Sequence, residues 1–410
     1  MASSSRRQWL KRVGAIGLGA SAGPLPPALG VEQAAPPGAG ASEARLALAD
    51  YEPRSMLHVQ ETRVPRARFP AIDVHTHLSE TAREEQGVSL GEEVKLHISA
   101  REAVLAMDRK NIRSMVNLTG GHGAGLREVV QAFDRAYPGR FYTCTEPTFE
   151  RLGEPRYPQL QADAIARAAA DGARGLKILK TLGLYLRERV TEGPLVTVDS
   201  PRFDSMWEAC AAAKMPVFIH VADPEAFFLP VDRFNERYDE LGRHPDWSFH
   251  GRDFPSFREI MEARDRVYAR HPRTQFVSLH VGHDSENLAF VAESLERFPN
   301  MTVELAARIA ELGRQPRATR RFFEKYQDRI LFGTDALPRP PAGGGSGRVL
   351  NEAMYEIYYR FLETEDEYFE YSTTPVPTQG RWRIYGLGLP DPVLKKVYAD
   401  NAVRVLGLPA

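Results

Sequence analysis

The sequence predicts an α/β fold, a (β/α)8 TIM barrel with an insertion after the fifth strand and a C-terminal extension, and three observations carry it. From Phe69 onward, eight short β-branched or apolar runs alternate with segments of helical spacing. Several of these runs are apolar nearly throughout, as strands of a parallel sheet covered on both faces are. The eight units span roughly 260 residues, the usual length of such a barrel. A doubly wound open sheet is the alternative. It would carry a Gly-rich phosphate turn after its first strand, where this chain has His75-Thr76-His77.

The first strand is expected at Ala71–His77. A helix follows over Ala100–Lys110, where Val104, Leu105 and Met107 fall close to one face. Ser114–Leu118 and Phe141–Thr145 are the second and third strands, and a helix over Ala162–Ala170 leads to the fourth, Gly175–Leu179. The helix Phe203–Ala213 precedes the fifth strand, Val217–Val221, and helices over Ser256–Arg270 and Glu286–Arg297 flank the sixth, Phe276–His280. Thr302–Leu305, a helix over Thr319–Tyr326 and Ile330–Gly333 complete the series. Two stretches break the rhythm. Pro224 to Pro255 is long, aromatic and charged, and sits where the fifth βα loop belongs, as a substrate lid or a subunit contact. Pro338 to Gly347 is a Pro/Gly-rich loop after the eighth strand, and Tyr355–Tyr371 is a tyrosine- and glutamate-rich region beyond it.

Composition is that of an ordinary globular protein: 43% hydrophobic, 26% charged, net charge −1 over 410 residues. No basic stripe points to nucleic acid, and no stretch after the N-terminus is long and apolar enough to span a membrane. Cys144 and Cys210, the two cysteines, fall in apolar segments and read as small core residues rather than a disulfide or a thiolate metal site. At the N-terminus, Arg6-Arg7 precedes a weakly hydrophobic, Gly-rich stretch ending at Ala20-Ser21-Ala22. Residues 1–35 are therefore expected to be a twin-arginine export signal, 36–68 a linker or N-terminal extension, and 69–407 the barrel. That signal implies a periplasmic or extracellular protein, or a cytoplasmic one if it does not function.

The polar residues fall at strand ends. Residues i and i+2 of a strand share a face, so His75 and His77 project side by side, with Asp73 on the same face. The fifth strand ends in His220, the sixth in His280 with His283 three residues beyond it, and the eighth in Asp335. Imidazoles and a carboxylate at the C-terminal mouth of a barrel suit a divalent metal with a position left for water.

Ile72-Asp73-Val74-His75-Thr76-His77, Ile219-His220, Leu279-His280-Val281-Gly282, Leu331-Phe332-Gly333-Thr334-Asp335 and the closing Leu394–Ala402 segment resemble the amidohydrolase superfamily. Within it they are similar to the amidohydrolase 2 branch, which includes the aminocarboxymuconate semialdehyde decarboxylases. The resemblance implies that His75, His77 and His220 ligate one divalent ion, Zn2+ by preference. Asp335 would be a further ligand that also handles a proton, and His280 the acid/base. His283 is a loop residue and a substrate contact. Lys177 on the fourth strand either holds an anionic substrate group or, carboxylated, bridges two metals. Glu304 and Arg308 are candidates for charge contacts at the mouth, Arg308 toward substrate, and His122 is a candidate by position. A metal-dependent hydrolase of a small organic molecule is the first reading, and a non-oxidative decarboxylase of a small carboxylic acid the second. A non-catalytic binding barrel is the third, against which the intact ligand set argues. Whether the chain forms a homo-oligomer stays open.

Overall fold

Among the described residues, twelve strands form where extended, apolar or alternating segments occur: β1 Ala71–Thr76, β2 Ser79–Glu85, β3 Val88–Leu96, β4 Ile112–Asn117, β5 Phe141–Thr143, β6 Leu176–Ile178, β7 Arg187–Arg189, β8 Glu192–Leu195, β9 Val217–Ile219, β10 Phe276–Ser278, β11 Met301–Glu304 and β12 Ile330–Leu331. The computed structural model describes residues 46–47, 50–51, 53–251, 253–340, 348–374, 377 and 379–409. The expected export signal and the greater part of the loop after the eighth expected strand lie outside them.

Each of the eight expected strands contains one of β1, β4, β5, β6, β9, β10, β11 and β12, or overlaps it. They pair in parallel as β1-β4-β5 and β12-β11-β10-β9-β6. Single parallel bridges, Thr145 to Leu176 and Thr76 to Ala336, join the edges of these two sheets, so the eight strands succeed one another as a ring. Side chains alternate across it. Ile72, Val74, Val116, Phe218, Val277 and Leu331 form a small apolar cluster enclosed by the strands. Their neighbours Met115, Val217, Ile219, Phe276 and Ile330 join the larger cluster shared with the helices. Ala402 and Leu406 of the C-terminal helical segment pack on the inner cluster. Asn401 Nδ2 donates to the Ile330 carbonyl at 2.7 Å, which fixes that segment at the end where β12 begins. The opposite end is left for chemistry. A π turn over Lys396–Asp400 frees the Val397 carbonyl, which accepts from Phe332 N–H at 2.9 Å.

The helices form where their boundaries are written in the sequence. Ala100–Lys110 starts at a Ser99/Glu102 capping box and stops at Asn111, which takes a left-handed φ of 59°. Phe257–Arg270 begins at the same kind of box, Ser256 with Glu259. Two antiparallel hairpins, β2–β3 and β7–β8, lie outside the expected pattern. The first turns at Gln86 and Gly87, with φ of 48° and 78°, the left-handed pair that a two-residue hairpin turn requires.

The insertion holds short helical turns at Glu225–Phe228, Tyr238–Arg243 and Pro245–Trp247. It is fastened to the mouth by buried charge. Arg237 bonds Glu240 Oε2 at 2.7 Å and also Glu311, beyond the end of β11. Arg381 of the C-terminal extension reaches Asp239 at 2.8 Å. The N-terminal extension is pinned in turn, with Thr62 N–H and Oγ1 both 2.7 Å from the Asp366 carboxylate.

The ring is tied shut between its first and last strands by Asp73. Its carboxylate accepts from Thr334 Oγ1 at 2.6 Å, Tyr355 OH at 2.8 Å, and the N–H groups of His75 and Thr334 at 3.1 Å. Asp73→Ala leaves four buried donors unpaired, and its expected cost is about 3 kcal/mol in urea unfolding. A loss below about 0.5 kcal/mol contradicts this role.

Candidate metal centre

A bulge aims the first two histidines. Three residue steps on β1, from Asp73 to Thr76, stand against two on β4, from Met115 to Asn117. Val74 and the following His75 consequently depart from strict alternation. Asp73 is thereby separated from the histidines, which corrects the expectation that it shares their face: it points to Thr334 and Tyr355, and burial raises its carboxyl to about 6. Gly333 permits the approach on the other side. A Cβ there would stand 2.5 Å from Glu304 Oε2 and 3.1 Å from His75 Cβ.

Three imidazoles have one nitrogen committed outward. His75 Nδ1–H donates to Glu304 Oε1 at 3.1 Å, and His280 Nδ1–H to the Ala306 carbonyl at 2.9 Å. His77 Nδ1 meets Thr119 Oγ1 at 3.2 Å, and that hydroxyl spends its own proton on the Ser79 carbonyl. A carboxylate, a carbonyl and an already-donating hydroxyl can only accept, so in each ring Nε2 keeps its lone pair. Those lone pairs converge. His75 Nε2 lies 3.3 Å from His77 Nε2, and Asp335 Oδ1 lies 3.2 Å and 3.0 Å from the two. One ligand atom each from His75, His280 and Asp335 falls within 4.8 Å of the others. Acceptors packed this closely repel one another unless a cation lies among them. The donor set, imidazole nitrogen with one carboxylate oxygen, fits a divalent metal.

The electrostatics agree. Burial pushes the Asp335 carboxyl up, but the positive charge that His75 and His77 can carry outweighs it and holds the carboxyl well below the usual range, so this point of the cluster favours a cation beside it. Burial, His220 and Arg308 keep His280 neutral. The backbone is strained at the same places: His280, Val281, His283, Ala307 and Asp335 all have φ between 54° and 70°. For a β-branched residue such as Val281 that region is strongly disfavoured, and its use here turns His280 toward the cluster.

The remaining predicted residues divide. His220 stands edge-on to His280, ring centroids 4.4 Å apart, with Nε2 3.4 Å from Asp223 Oδ1. His280, expected as acid/base alone, lies inside the compact ligand group, and His220 stands against its ring. His283 is corrected. It is wholly buried, with Nε2 against the backbone at Ile219 O (3.0 Å) and Val221 N (3.2 Å), so it has no face to offer substrate. Its left-handed φ of 70° turns it behind His220, 5.9 Å away and stacked. His122 faces Glu150 at 3.9 Å. Lys177 is fully buried with Nζ lacking any hydrogen-bond partner among the described residues, and its nearest charges include Asp335 and Glu304. Arg308 is buried, with Nη1 on the Ala307 carbonyl at 2.8 Å and Nε unpartnered. Glu304 is no mouth contact: it is wholly buried and orients both His75 and the His280 backbone, at 2.7 Å from His280 N. The signal was an acid facing inward from an otherwise apolar strand. Thr119 and Asp223 carried none.

Metal analysis of the purified chain is expected to find about one divalent ion per chain. Glu304→Gln should weaken metal binding by about 10- to 100-fold while retaining the fold, measured by chelator competition. Unchanged affinity would contradict the orienting role of Glu304.

The family model described as amidohydrolase matches residues 72–408. Similar solved structures include an IDCase from Metarhizium anisopliae in apo form, 16% identical over 82% of this chain and 97% of that one, with a TM-score of 0.49. A dihydroxybenzoic acid decarboxylase from Polaromonas sp. JS666 with bound manganese and the inhibitor 2-nitroresorcinol is 13% identical over 83% and 97%, with a TM-score of 0.49. A 2,6-dihydroxybenzoate decarboxylase from Rhizobium is 14% identical over 83% and 99%, with a TM-score of 0.48. No curated protein sequence matches the chain. With 72–408 matched, and with the histidines and aspartate of the motifs gathered at one end of the barrel, the chain belongs to the amidohydrolase family.

Proposed function

We propose that this protein is a metal-dependent, non-oxidative decarboxylase of a small carboxylic acid, and Lys177 is the observation that carries the reading. An ammonium buried without a hydrogen bond is costly. Burial brings Lys177 down to about 8, and the attraction of Asp335 and Glu304 opposes that fall. A substrate carboxylate placed against Nζ satisfies it. Hydrolysis, the first reading of the sequence, needs no such anchor. Arg308, whose Nε has no hydrogen-bond partner among the described residues and whose charge acts on His280, adds a second cation to the same end of the barrel.

The residues would act as follows. Lys177 Nζ binds and orients the carboxylate. His75, His77, His220 and Asp335 would hold a divalent ion, Zn2+ by the preference of that donor set, which would supply Lewis acidity. The change is R–COO⁻ plus H⁺ giving R–H plus CO2: the C–C bond breaks, its electron pair stays on carbon, and a proton takes the vacated position. His280, kept neutral with its Nδ1–H on the Ala306 carbonyl, would be left out of the ligand set and relay that proton from water through Nε2. Asp335, held well below the usual carboxylate range, stays ionised and serves as a ligand rather than a proton donor.

The test is a metal-supplemented screen of aromatic and aliphatic carboxylic acids, with CO2 release followed beside acid release from esters and lactones. CO2 release from an acid is expected; turnover of esters or lactones alone would return the reading to hydrolysis. Lys177→Met should lower kcat/KM for that acid by about 10- to 100-fold, the worth of one charge-assisted hydrogen bond, with metal content unchanged.

A further inference from the structure

Of the imidazoles at the mouth, His220 lacks an assigned outer partner, and the structure offers one. Asp223 Oδ1 lies 3.4 Å from His220 Nε2, a buried atom with no hydrogen bond among the described residues, and Asp223 Oδ2 accepts from Lys180 Nζ at 2.6 Å. Asp223 is 7% exposed. Lys180 is held on its far side as well, 5.5 Å from the centre of the Phe249 ring. We propose that Asp223, fixed by Lys180, is the positioning carboxylate of His220, so that Nε2 carries the proton and Nδ1 is the nitrogen that ligates the metal.

His75, His77 and His280 each give an N–H to an outer acceptor, Glu304, Thr119 and the Ala306 carbonyl respectively. In those three rings the outer nitrogen is Nδ1. His220 is approached by its carboxylate from the Nε2 side instead, which reverses the tautomer. An N–H at Nε2 would have Asp223 Oδ1 as its acceptor once the two align, and the Lys180 ammonium keeps the carboxylate from turning away. Asp223 is also the residue directly before the insertion, which begins at Pro224, and Phe249 lies near its far end. Seating of the insertion on Lys180 is thereby joined to the orientation of one ligand. The assignment rests on the metal centre and not on which bond breaks, so failure of the decarboxylation screen leaves it standing.

Zinc affinity of the full chain by chelator competition tests it, with Asp239→Asn as the control. That control breaks the 2.8 Å contact with Arg381, which also fastens the insertion but touches no ligand. Asp223→Asn should weaken zinc binding by about 10- to 100-fold, Asp223→Glu should recover part of the loss, and Asp239→Asn should bind as the wild type does. Wild-type affinity in Asp223→Asn, or equal loss in both Asn variants, would overturn the proposal. So would wild-type protein that takes up no zinc. A second measurement needs no variant: histidine 15N NMR of the zinc-loaded chain should show His220 metallated at Nδ1 and protonated at Nε2. The reverse assignment overturns it.

Discussion

A carboxylate sealed from water must find donors on every side, and Glu304 does so by accepting from His75 Nδ1–H, the His280 N–H and the Ala306 N–H together. Those three bonds set the geometry of everything above them. They fix the tautomer of His75, hold the backbone of His280 in its left-handed conformation, and place the Ala306 carbonyl's own residue next to the ring it orients. Without Glu304, two of the imidazoles would be free to rotate or to exchange nitrogens, and the convergence of lone pairs on Asp335 would be lost.

That arrangement is strained, and the barrel supplies the stiffness that maintains it. Positive φ at five non-glycine residues around the mouth costs on the order of 1 kcal/mol each. The bulge in β1 sacrifices ladder regularity to turn His75 inward. Against these stand the Asp73 tie between the first and last strands, the enclosed apolar cluster, and the C-terminal helical segment that packs against it. The insertion is fastened by Arg237 to Glu311, by Asp239 to Arg381 and by Phe249 to Lys180.

Much of this is legible in the sequence, for identifiable reasons. Strands such as Phe276–Ser278 announce themselves because both faces are buried, and the helix Ala100–Lys110 has its start and stop encoded in Ser99, Glu102 and Asn111. His75, His77 and Asp335 stand out because polar residues end apolar runs. What is not legible follows from departures that leave no local mark. Strict alternation puts Asp73 beside His75, and nothing in Ile72–Val74 signals the bulge that separates them. His280 and His283 differ by three residues and by their neighbours' dihedrals, which their side chains do not advertise, so one joins the ligand group and the other stacks behind it. The hairpin β2–β3 hides in charged, half-exposed segments whose alternation is weak, although Gln86-Gly87 marks its turn. Glu304 and Asp223 acquire meaning only from residues distant in sequence.

The central claim is that Nε2 of His75 and His77, with Asp335, faces one cation. Anomalous diffraction from crystals grown with zinc tests it most directly. The account predicts a single strong peak about 2.0–2.2 Å from those two nitrogens and the Asp335 carboxylate, with the outward Nδ1 contacts intact. A peak bound elsewhere on the chain, or none at this end of the barrel, would contradict it.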